Sequence, residues 1–199
     1  MSSRQDEILL ADRDLCFIDV ETTGPQFGYH EVIELGAVRV SPDAETLKGE
    51  MDFKLFPLHP KRITEQARII NGFSEDAWVG VAQNGADSWK RFAEFASGCV
   101  PVCHNPSFDR VFVTLGAKES SVTELGVDYH WVGTESLAWP LVRNGQIRKL
   151  SLENLCVLLG VPPEPKPHRA LEGARACWAV YRRLVKIVEV DKNRKLFVA

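Results

Sequence analysis

The chain has 199 residues, a formal net charge of −3, 45% hydrophobic residues and 26% charged residues. Such a chain is long enough for one domain with a substantial core, and its composition is that of an ordinary globular protein. We find no apolar run that would span a membrane and no signal-peptide pattern in the acidic N-terminus, and the negative charge excludes a broad basic surface for nucleic acid. The five cysteines lack zinc-site spacing, which predicts reduced thiols and a cytoplasmic protein.

The first half of the chain begins with three predicted strands and then changes to helical periodicity. Alternating apolar and polar residues predict the strands at 14–20, 32–40 and 50–57. A short helix is predicted at 63–70 and a longer one at 86–96. The short apolar run at 100–103 predicts a fourth, buried strand.

The second half of the chain alternates helical patterns with one further strand, predicted at 128–133. The helices are predicted from Pro106 onward and at 135–143, 152–159 and 169–188. We expect Pro140 to kink the second of these helices. The proline-rich stretch 162–167 is expected to be an extended loop that feeds the last one.

These elements predict an α/β fold in which a mixed five-stranded sheet is flanked by helices. Three strands in a meander, followed by strands that alternate with helices, are typical of such a sheet. We find no internal repeat or long linker. We therefore expect a single domain over 1–199, with a core at about 12–188 and a tail at 189–199.

The predicted first strand carries two acidic residues, Asp19 and Glu21, within the apolar sequence CFIDVETTG. Residues two apart on a strand point to the same face. Two carboxylates about 6 Å apart repel each other by roughly 2.5–3 kcal/mol at an effective dielectric constant near 20. A shared proton, nearby arginines or a divalent cation would relieve that repulsion. The alternative is a surface turn with two solvated acids, which the apolar neighbours of Asp19 disfavour.

Two later segments place reactive side chains at the starts of predicted helices. Asp109 ends the sequence HNPSFD, where an aspartate either interacts with the helix dipole or serves as a third metal-binding carboxylate. His168 lies between the proline-rich loop and the last helix. A histidine there is either an idle loop residue or a mobile general base.

In their order and spacing, these motifs resemble those of the DEDDh class of 3′–5′ exonucleases, which includes the proofreading subunit of bacterial DNA polymerase III and ribonuclease T. The matching sequences are FIDVETTG at 17–24, HNPSFD at 104–109 and HRAL at 168–171. Weaker similarity lies between them, in VIELGAV, INGFSEDAW and LSLENLCVLLGV. The resemblance covers nearly the whole chain, from about residue 12 to about residue 187.

The resemblance implies a ribonuclease H-like fold and two divalent ions, Mg²⁺ or Mn²⁺. By analogy, Asp19 would bridge both ions, Glu21 would bind one, Asp109 would complete the ligand set and His168 would deprotonate the attacking water. Carboxylate oxygens suit magnesium, and an ion pair suits phosphodiester hydrolysis near neutral pH. We therefore expect a metal-dependent 3′–5′ exonuclease that acts on single-stranded 3′ ends of DNA or RNA.

One position departs from the family pattern. The family's fourth acid is an aspartate five residues after the histidine, and Gly173 stands there in this chain. Glu172 is adjacent, but one helical step turns it by about 100°. We expect Glu172 to be solvated, with replacement of the missing metal ligand as the alternative. Three explanations of Gly173 stay open: a natural variant with weakened catalysis, a degenerate family member that only binds nucleic acid, or a deliberate substitution that traps an inactive form.

The residues that end the first motif are candidates for substrate binding. Thr22, Thr23 and Gly24 offer hydroxyls and open backbone, and the resemblance implies that they hold the 3′-terminal nucleotide. Phe27 or Phe108 could stack on the terminal base, with a place in the core as the alternative for each. Proofreading relatives act as polymerase subunits and ribonuclease relatives as dimers, so a polymerase partner and a homodimer both stay open, and no membrane partner is expected.

Overall fold

The computed structural model describes residues 9–190, which form a five-stranded mixed sheet with helices on both faces. The strands are β1 (Leu15–Thr22), β2 (Val32–Val40), β3 (Leu47–Lys54), β4 (Val100–Cys103) and β5 (Val132–Gly133). Their order across the sheet is β3-β2-β1-β4-β5. Strands β1, β2 and β3 are antiparallel, whereas β4 is parallel to β1 and β5 is parallel to β4. The predicted fold class is confirmed.

Within the described residues, eight α-helices accompany the sheet. They are α1 (Glu65–Asn71), α2 (Glu75–Trp78), α3 (Gly85–Ala96), α4 (Pro106–Glu119), α5 (Thr134–Leu137), α6 (Trp139–Arg143), α7 (Leu152–Leu159) and α8 (Ala170–Val190). Short 3-10 turns lie at Leu10–Asp12 and Pro60–Arg62. None of the helices in this part of the chain is long and apolar enough to cross a membrane.

The central strand β1 sends alternate side chains to opposite faces of the sheet, as strand geometry requires. Cys16 and Ile18 belong to the apolar cluster that α3 and α4 cover. Phe17, on the other face, packs in the cluster that includes α8. Asp19 and Glu21 continue the face of Phe17, so β1 directs both carboxylates toward the N-terminal end of α8.

Two glycines allow α8 to approach the sheet closely. A Cβ atom at Gly36, on β2, would lie 2.1 Å from the backbone nitrogen of Leu171. A Cβ atom at Gly173 would lie 2.5 Å from Oδ2 of Asp19. Both distances are far below van der Waals contact, so the first turns of α8 rest on β2 and on the Asp19 carboxylate because these positions carry no side chain.

Helix ends follow the signals in the sequence. The Ser151 hydroxyl accepts a hydrogen bond from the Asn154 backbone at the start of α7, and Gly160 ends that helix with a φ of 65°. The side chain of Asn105 caps α4 by accepting a bond from the Ser107 backbone N–H. The predicted limits of α7 are confirmed.

The strand predicted at 50–57 lies three residues earlier, as β3, and three further predictions differ from the structure in extent. The strand predicted at 128–133 is reduced to β5, since the Asp128 carboxylate instead accepts the His130 backbone N–H at 2.8 Å and forms an ion pair with Arg13 at 2.8 Å. The helix predicted at 135–143 is divided into α5 and α6 just before Pro140. The last helix continues to Val190, and the rest of the predicted tail lies outside the described residues.

Candidate active site

A cavity of about 470 Å³ opens at the C-terminal end of β1. Its walls come from the end of β1, from α1, from the turn between β4 and α4, from the start of α7, and from residues 161–169, which we call the α7–α8 loop. The ionisable residues that line it are Asp19, Glu21, His104, Asp109, Glu153, Glu164, Lys166 and His168. The three predicted motifs therefore meet in one cavity.

The strand β1 places two of the predicted acids in this cavity. Asp19 is half-buried and Glu21 is only 8% exposed. Glu34 on β2 lies directly opposite Glu21, which adds a third carboxylate to the same face. Glu34 is neutralised by Lys54 at 2.5 Å, whereas the ion pairs found among the described residues involve neither Asp19 nor Glu21.

Nearby cations compensate these two acids only weakly, and the pKa values of both are raised. Burial raises the pKa of Asp19 well above its ordinary value, and the charges of Asp109 and Glu21 raise it further. Burial also raises the pKa of Glu21 to about 8, with Glu164 as the largest charged contributor. These carboxylates therefore lie in a site that strongly favours a bound cation or a bound proton.

The parallel pairing of β4 with β1 brings the second motif to the same place. The helix α4 begins three residues after β4, and Asp109 lies in its first turn. Asp109 is 4% exposed, and burial raises its pKa to about 7. The Cys103 thiol and nearby backbone N–H groups, that of Val20 among them, lower the pKa of the Asp109 carboxyl and so act against the effect of burial.

The third motif enters through the α7–α8 loop. The backbone N–H of His168 donates to the carbonyl of Ile70 at 2.8 Å, and a guanidinium nitrogen of Arg169 donates to the carbonyl of Asn71 at 2.7 Å. These bonds fasten the loop to the C-terminal end of α1. Burial and the charge of Lys166 lower the pKa of His168, so its imidazole is neutral near pH 7 and able to accept a proton.

A residue that sequence analysis missed lies beside this histidine. Glu164 is 12% exposed, and its Oε2 lies 3.2 Å from Nδ1 of His168. One ligand atom each from Glu21, Glu164 and His168 lie within 4.8 Å of one another. Burial raises the pKa of Glu164 to about 7. The signal in the sequence was an acid between prolines, four residues before the histidine, in a stretch interpreted as a connecting loop.

Some of the predicted substrate-binding residues line the cavity and others do not. Thr22, Gly24 and Phe108 line the cavity. Thr23 is fully buried, and its hydroxyl accepts the backbone N–H of Glu31 at 2.9 Å, so a direct substrate contact by this hydroxyl does not fit its position. Phe27 lies beside the cavity, where its ring centroid is 6.2 Å from that of Phe108.

The structure does not bring Glu172 into the cavity. Its carboxylate is 39% exposed and forms an ion pair with Arg175 at 2.5 Å, one turn further along α8. This position agrees with the expectation that Glu172 is solvated. The space beside Asp19, where the resemblance places a fourth acid, is occupied by the bare backbone of Gly173.

Three further residues join the elements that form the walls of the cavity, and two of them, Asn71 and His104, also line it. Glu34 accepts the backbone N–H of Ala170 at 3.2 Å and so fixes the start of α8. The Asn71 amide donates to the carbonyl of Thr22 at 3.0 Å, which joins α1 to the end of β1. The ring of His104 contacts the Leu150 carbonyl at 2.6 Å. Glu34 and Asn71 lie in the weaker motifs VIELGAV and INGFSEDAW, which is the signal that could have found them.

The chemistry of the donor set fits hard divalent cations. Carboxylates from β1, α4 and the α7–α8 loop line one cavity, and carboxylate oxygens are the ligands that Mg²⁺ and Mn²⁺ prefer. The mutual repulsion of these groups is the electrostatic condition that such cations relieve.

Comparisons with known proteins agree with this geometry. The family RNase_T, described as exonuclease, matches residues 16–181. The chain is 26% identical over 186 residues to the PolC-type DNA polymerase III of Thermotoga maritima, which covers 92% of this chain and 13% of that protein. It is 30% identical over 169 residues to a DNA polymerase III subunit epsilon-like protein of Rhodobacter capsulatus, which covers 84% of this chain and 23% of that protein. The chain thus spans less than a third of these relatives.

Solved structures of exonuclease I share the fold. Escherichia coli exonuclease I in complex with a dT13 oligonucleotide matches with a TM-score of 0.75 at 15% identity, over 89% of this chain and 43% of that chain. Exonuclease I of Methylocaldum szegediense matches with a TM-score of 0.71 at 18% identity, over 90% of this chain and 43% of that chain. These likenesses confirm the ribonuclease H-like fold.

The family match includes all three motifs and the elements that position them. Exonucleases of this kind use divalent metal ions, in agreement with the carboxylate-lined cavity. The chain belongs to the RNase_T exonuclease family.

Proposed function

We propose that the chain is a metal-dependent 3′–5′ exonuclease that removes nucleotides from single-stranded DNA or RNA. The observation that carries the proposal is the meeting of Asp19, Glu21, Asp109 and His168 in one cavity, although they come from three separate parts of the chain. The E. coli relative with a bound dT13 oligonucleotide supports a single-stranded substrate.

Asp19, Glu21 and Asp109 would hold two ions, Mg²⁺ or Mn²⁺. Bound ions would offset the charge of the scissile phosphate and make a nucleophilic hydroxide accessible near neutral pH. The carboxylates themselves supply the negative charge that concentrates cations at the end of β1. Their fixed attachment to β1 and α4 orients that charge without reorganisation during the reaction.

His168 would act as the general base. Its lowered pKa leaves the imidazole neutral at pH 7, and the loop places it at the edge of the cavity with 36% of its side chain exposed. With Nδ1 directed at Glu164, Nε2 is the nitrogen that would take a proton from water. General bases of this kind contribute about 10²–10⁴-fold to a rate.

The end of a nucleic acid strand would lie between the end of β1 and α4. The backbone of Gly24 and the side chains of Thr22 and Phe108 line this part of the cavity. The Phe108 ring packs on Phe112 at a centroid distance of 4.8 Å, which would hold it rigidly for stacking on a terminal base.

The test is cleavage of a single strand labelled at its 5′ end, in Mg²⁺ or Mn²⁺. We expect a ladder of products shortened from the 3′ end, and no ladder after chelation or in Asp19→Asn. Blocking the 3′ end should suppress the ladder, whereas blocking the 5′ end should not. Internal cleavage of a circular single strand would contradict an exonuclease.

A second candidate is an inactive module that binds 3′ ends on the same fold. It is favoured by Gly173, which leaves α8 without the family's fourth acid. It predicts retained binding of a single strand with no turnover in either metal, and no gain of activity in Gly173→Asp. In Gly173→Asp the new side chain would also require Asp19 to move, because a Cβ atom at residue 173 would lie 2.5 Å from Oδ2 of Asp19.

The polymerase relatives support association with a polymerase, and a homodimer is the alternative partner. Light scattering of the isolated chain separates the two. A monomer at micromolar concentration would exclude a stable homodimer and favour a polymerase partner.

A further inference from the structure

The α7–α8 loop brings a carboxylate into the cavity from a position that none of the three motifs contains. Glu164 is the single acid between residues 161 and 169. Its carboxylate is 12% exposed and lines the same cavity as Asp19 and Glu21. One oxygen of Glu164, one oxygen of Glu21 and one ring nitrogen of His168 lie within 4.8 Å of one another, a spacing that a single cation can bridge.

Hydrogen bonds within the loop orient the Glu164 carboxylate. Its Oε1 accepts the backbone N–H of Arg169 at 2.8 Å, which closes a turn of the loop. The Arg169 guanidinium also donates to the His168 carbonyl at 2.7 Å. A carboxylate has about four lone-pair sites, so these bonds leave Glu164 able to accept a further partner from the cavity.

Within the described residues, neither Lys166 nor Arg169 forms an ion pair with Glu164, and the nearest carboxylate to the Arg169 guanidinium is that of Glu34 at 4.0 Å. Lys166 is directed at Glu153, with the two charged atoms 3.5 Å apart on the surface. The Arg169 guanidinium lies against backbone carbonyls of α1 and of the loop. Glu164 therefore faces Glu21 with like charge, an arrangement that a divalent cation between them would convert from repulsive to attractive.

The helix α8 carries no carboxylate at residue 173, so the α7–α8 loop is another source of an acid for the cavity. The backbone of α8 at Gly173 is so close to Asp19 that a Cβ there would lie 2.5 Å from Oδ2 of Asp19. The helix thus cannot present an acid at this point without displacing Asp19. The loop, in contrast, places a Glu164 oxygen within 4.8 Å of a Glu21 oxygen.

We propose that Glu164 is a ligand of the divalent cation that Glu21 binds, and that it supplies from the α7–α8 loop the acid that α8 lacks. The inference rests on the proposed metal-dependent function. It assigns the proline-rich segment to the metal site, beyond its role as a connection to α8. It also implies that Gly173 does not by itself indicate an inactive protein.

The test measures Mn²⁺ binding to the whole chain without nucleic acid, by titration followed with electron paramagnetic resonance. Wild type should bind Mn²⁺, and Glu164→Gln should bind it about tenfold more weakly or with one ion fewer. The matched control is Glu172→Gln, which removes an acid eight residues away that pairs with Arg175 outside the cavity. We expect it to leave Mn²⁺ binding unchanged.

The possible outcomes separate the proposed metal-dependent function from the proposed role of Glu164. If wild type binds no Mn²⁺, the proposed function fails. If wild type binds and Glu164→Gln binds equally, Glu164 is not a ligand, even if cleavage slows through His168. Should Glu164→Gln fail to fold, Glu164→Asp keeps the charge but withdraws it by one methylene, and unaltered Mn²⁺ affinity in that variant overturns the proposal.

Discussion

Two regions supply the ionisable groups of the cavity and hold them in different ways. On β1, Asp19 and Glu21 are fixed by pairing opposite Gly36 and Glu34 of β2, within the ladder of the sheet. On the α7–α8 loop, Glu164 and His168 are held by a few hydrogen bonds to α1 and to Arg169. The sheet keeps the two strand acids at a set distance although they repel each other, whereas the loop can shift and carry its side chains away. Substitutions on β1 should therefore alter the charge and the chemistry of the cavity, and substitutions in the loop should alter where its side chains lie.

The largest effect is expected at the strand, in Asp19→Asn. This change removes the carboxylate at the centre of the cavity while keeping its shape. We expect cleavage to fall by about 10³-fold or more, which corresponds to roughly 4 kcal/mol of transition-state stabilisation. Single-turnover cleavage of a labelled strand measures it. A folded Asp19→Asn protein with near wild-type rate would contradict the assignment.

His168→Ala is expected to have the next largest effect, about 10²-fold or more in rate. We place His168 as the general base, and its pKa is lowered. The wild-type rate in saturating Mn²⁺ should therefore hold through the pH range in which an ordinary histidine titrates and fall only at lower pH. His168→Ala should lose that acidic limb and keep Mn²⁺ binding largely intact. An unchanged pH profile would show that another group takes the proton.

The pH dependence of stability separates the two regions without any substrate. The pKa of Glu21 is raised to about 8 and that of Asp109 to about 7, so protonation favours the folded state. Their contribution is complete below about pH 4 and is lost as pH rises through 7 to 8. Metal-free protein should therefore lose several kcal/mol of stability between pH 5 and pH 8, and Mg²⁺ should restore it.

A control for the fall of stability with pH compares a variant of β1 with a variant of the α7–α8 loop. Glu21→Gln should flatten the fall in stability, because its repulsion cannot relax within the sheet. Glu164→Gln should flatten it less, because the α7–α8 loop can move away. Chemical denaturation at several pH values measures both slopes, and equal flattening by the two variants would contradict the contrast between a rigid strand and a movable loop.

The smallest effect is expected in Arg169→Ala, which removes the side-chain bonds from the loop to Asn71. We expect about a tenfold lower rate and faster amide hydrogen exchange in the α7–α8 loop, with β1 unchanged. Arg175→Ala is a matched control, because it removes an arginine of α8 that pairs with Glu50 on β3. Slower cleavage without faster loop exchange would show that Arg169 acts in another way.

The same contrast explains which parts of the site could be predicted from sequence. The two-residue period of β1 is enough to place Asp19 and Glu21 on one face, and the Asn-Pro start of α4 is enough to place Asp109 at a helix N-terminus. Both signals are local. Glu164 could not be placed in this way, because the path of its loop depends on carbonyls of α1 almost a hundred residues earlier in the chain.

The direction of the Thr23 hydroxyl could not be predicted from sequence for a related reason. The ladder between β1 and β2 shifts register between Glu21 and Thr22, which ends the simple alternation of faces. The Thr23 hydroxyl consequently turns to the Glu31 backbone and away from the cavity. The fold as a whole was more predictable, since its strands and longer helices follow periodic patterns, whereas β5 is only two residues long.

Anomalous diffraction from crystals soaked in MnCl₂ near pH 7.5 would show whether the acids at the end of β1 hold metal. We expect Mn²⁺ in this cavity, with carboxylate oxygens of Asp19, Glu21 and Asp109 at ligand distances of about 2.0–2.6 Å. A saturating soak that leaves no anomalous peak near any of these three carboxylates would contradict it.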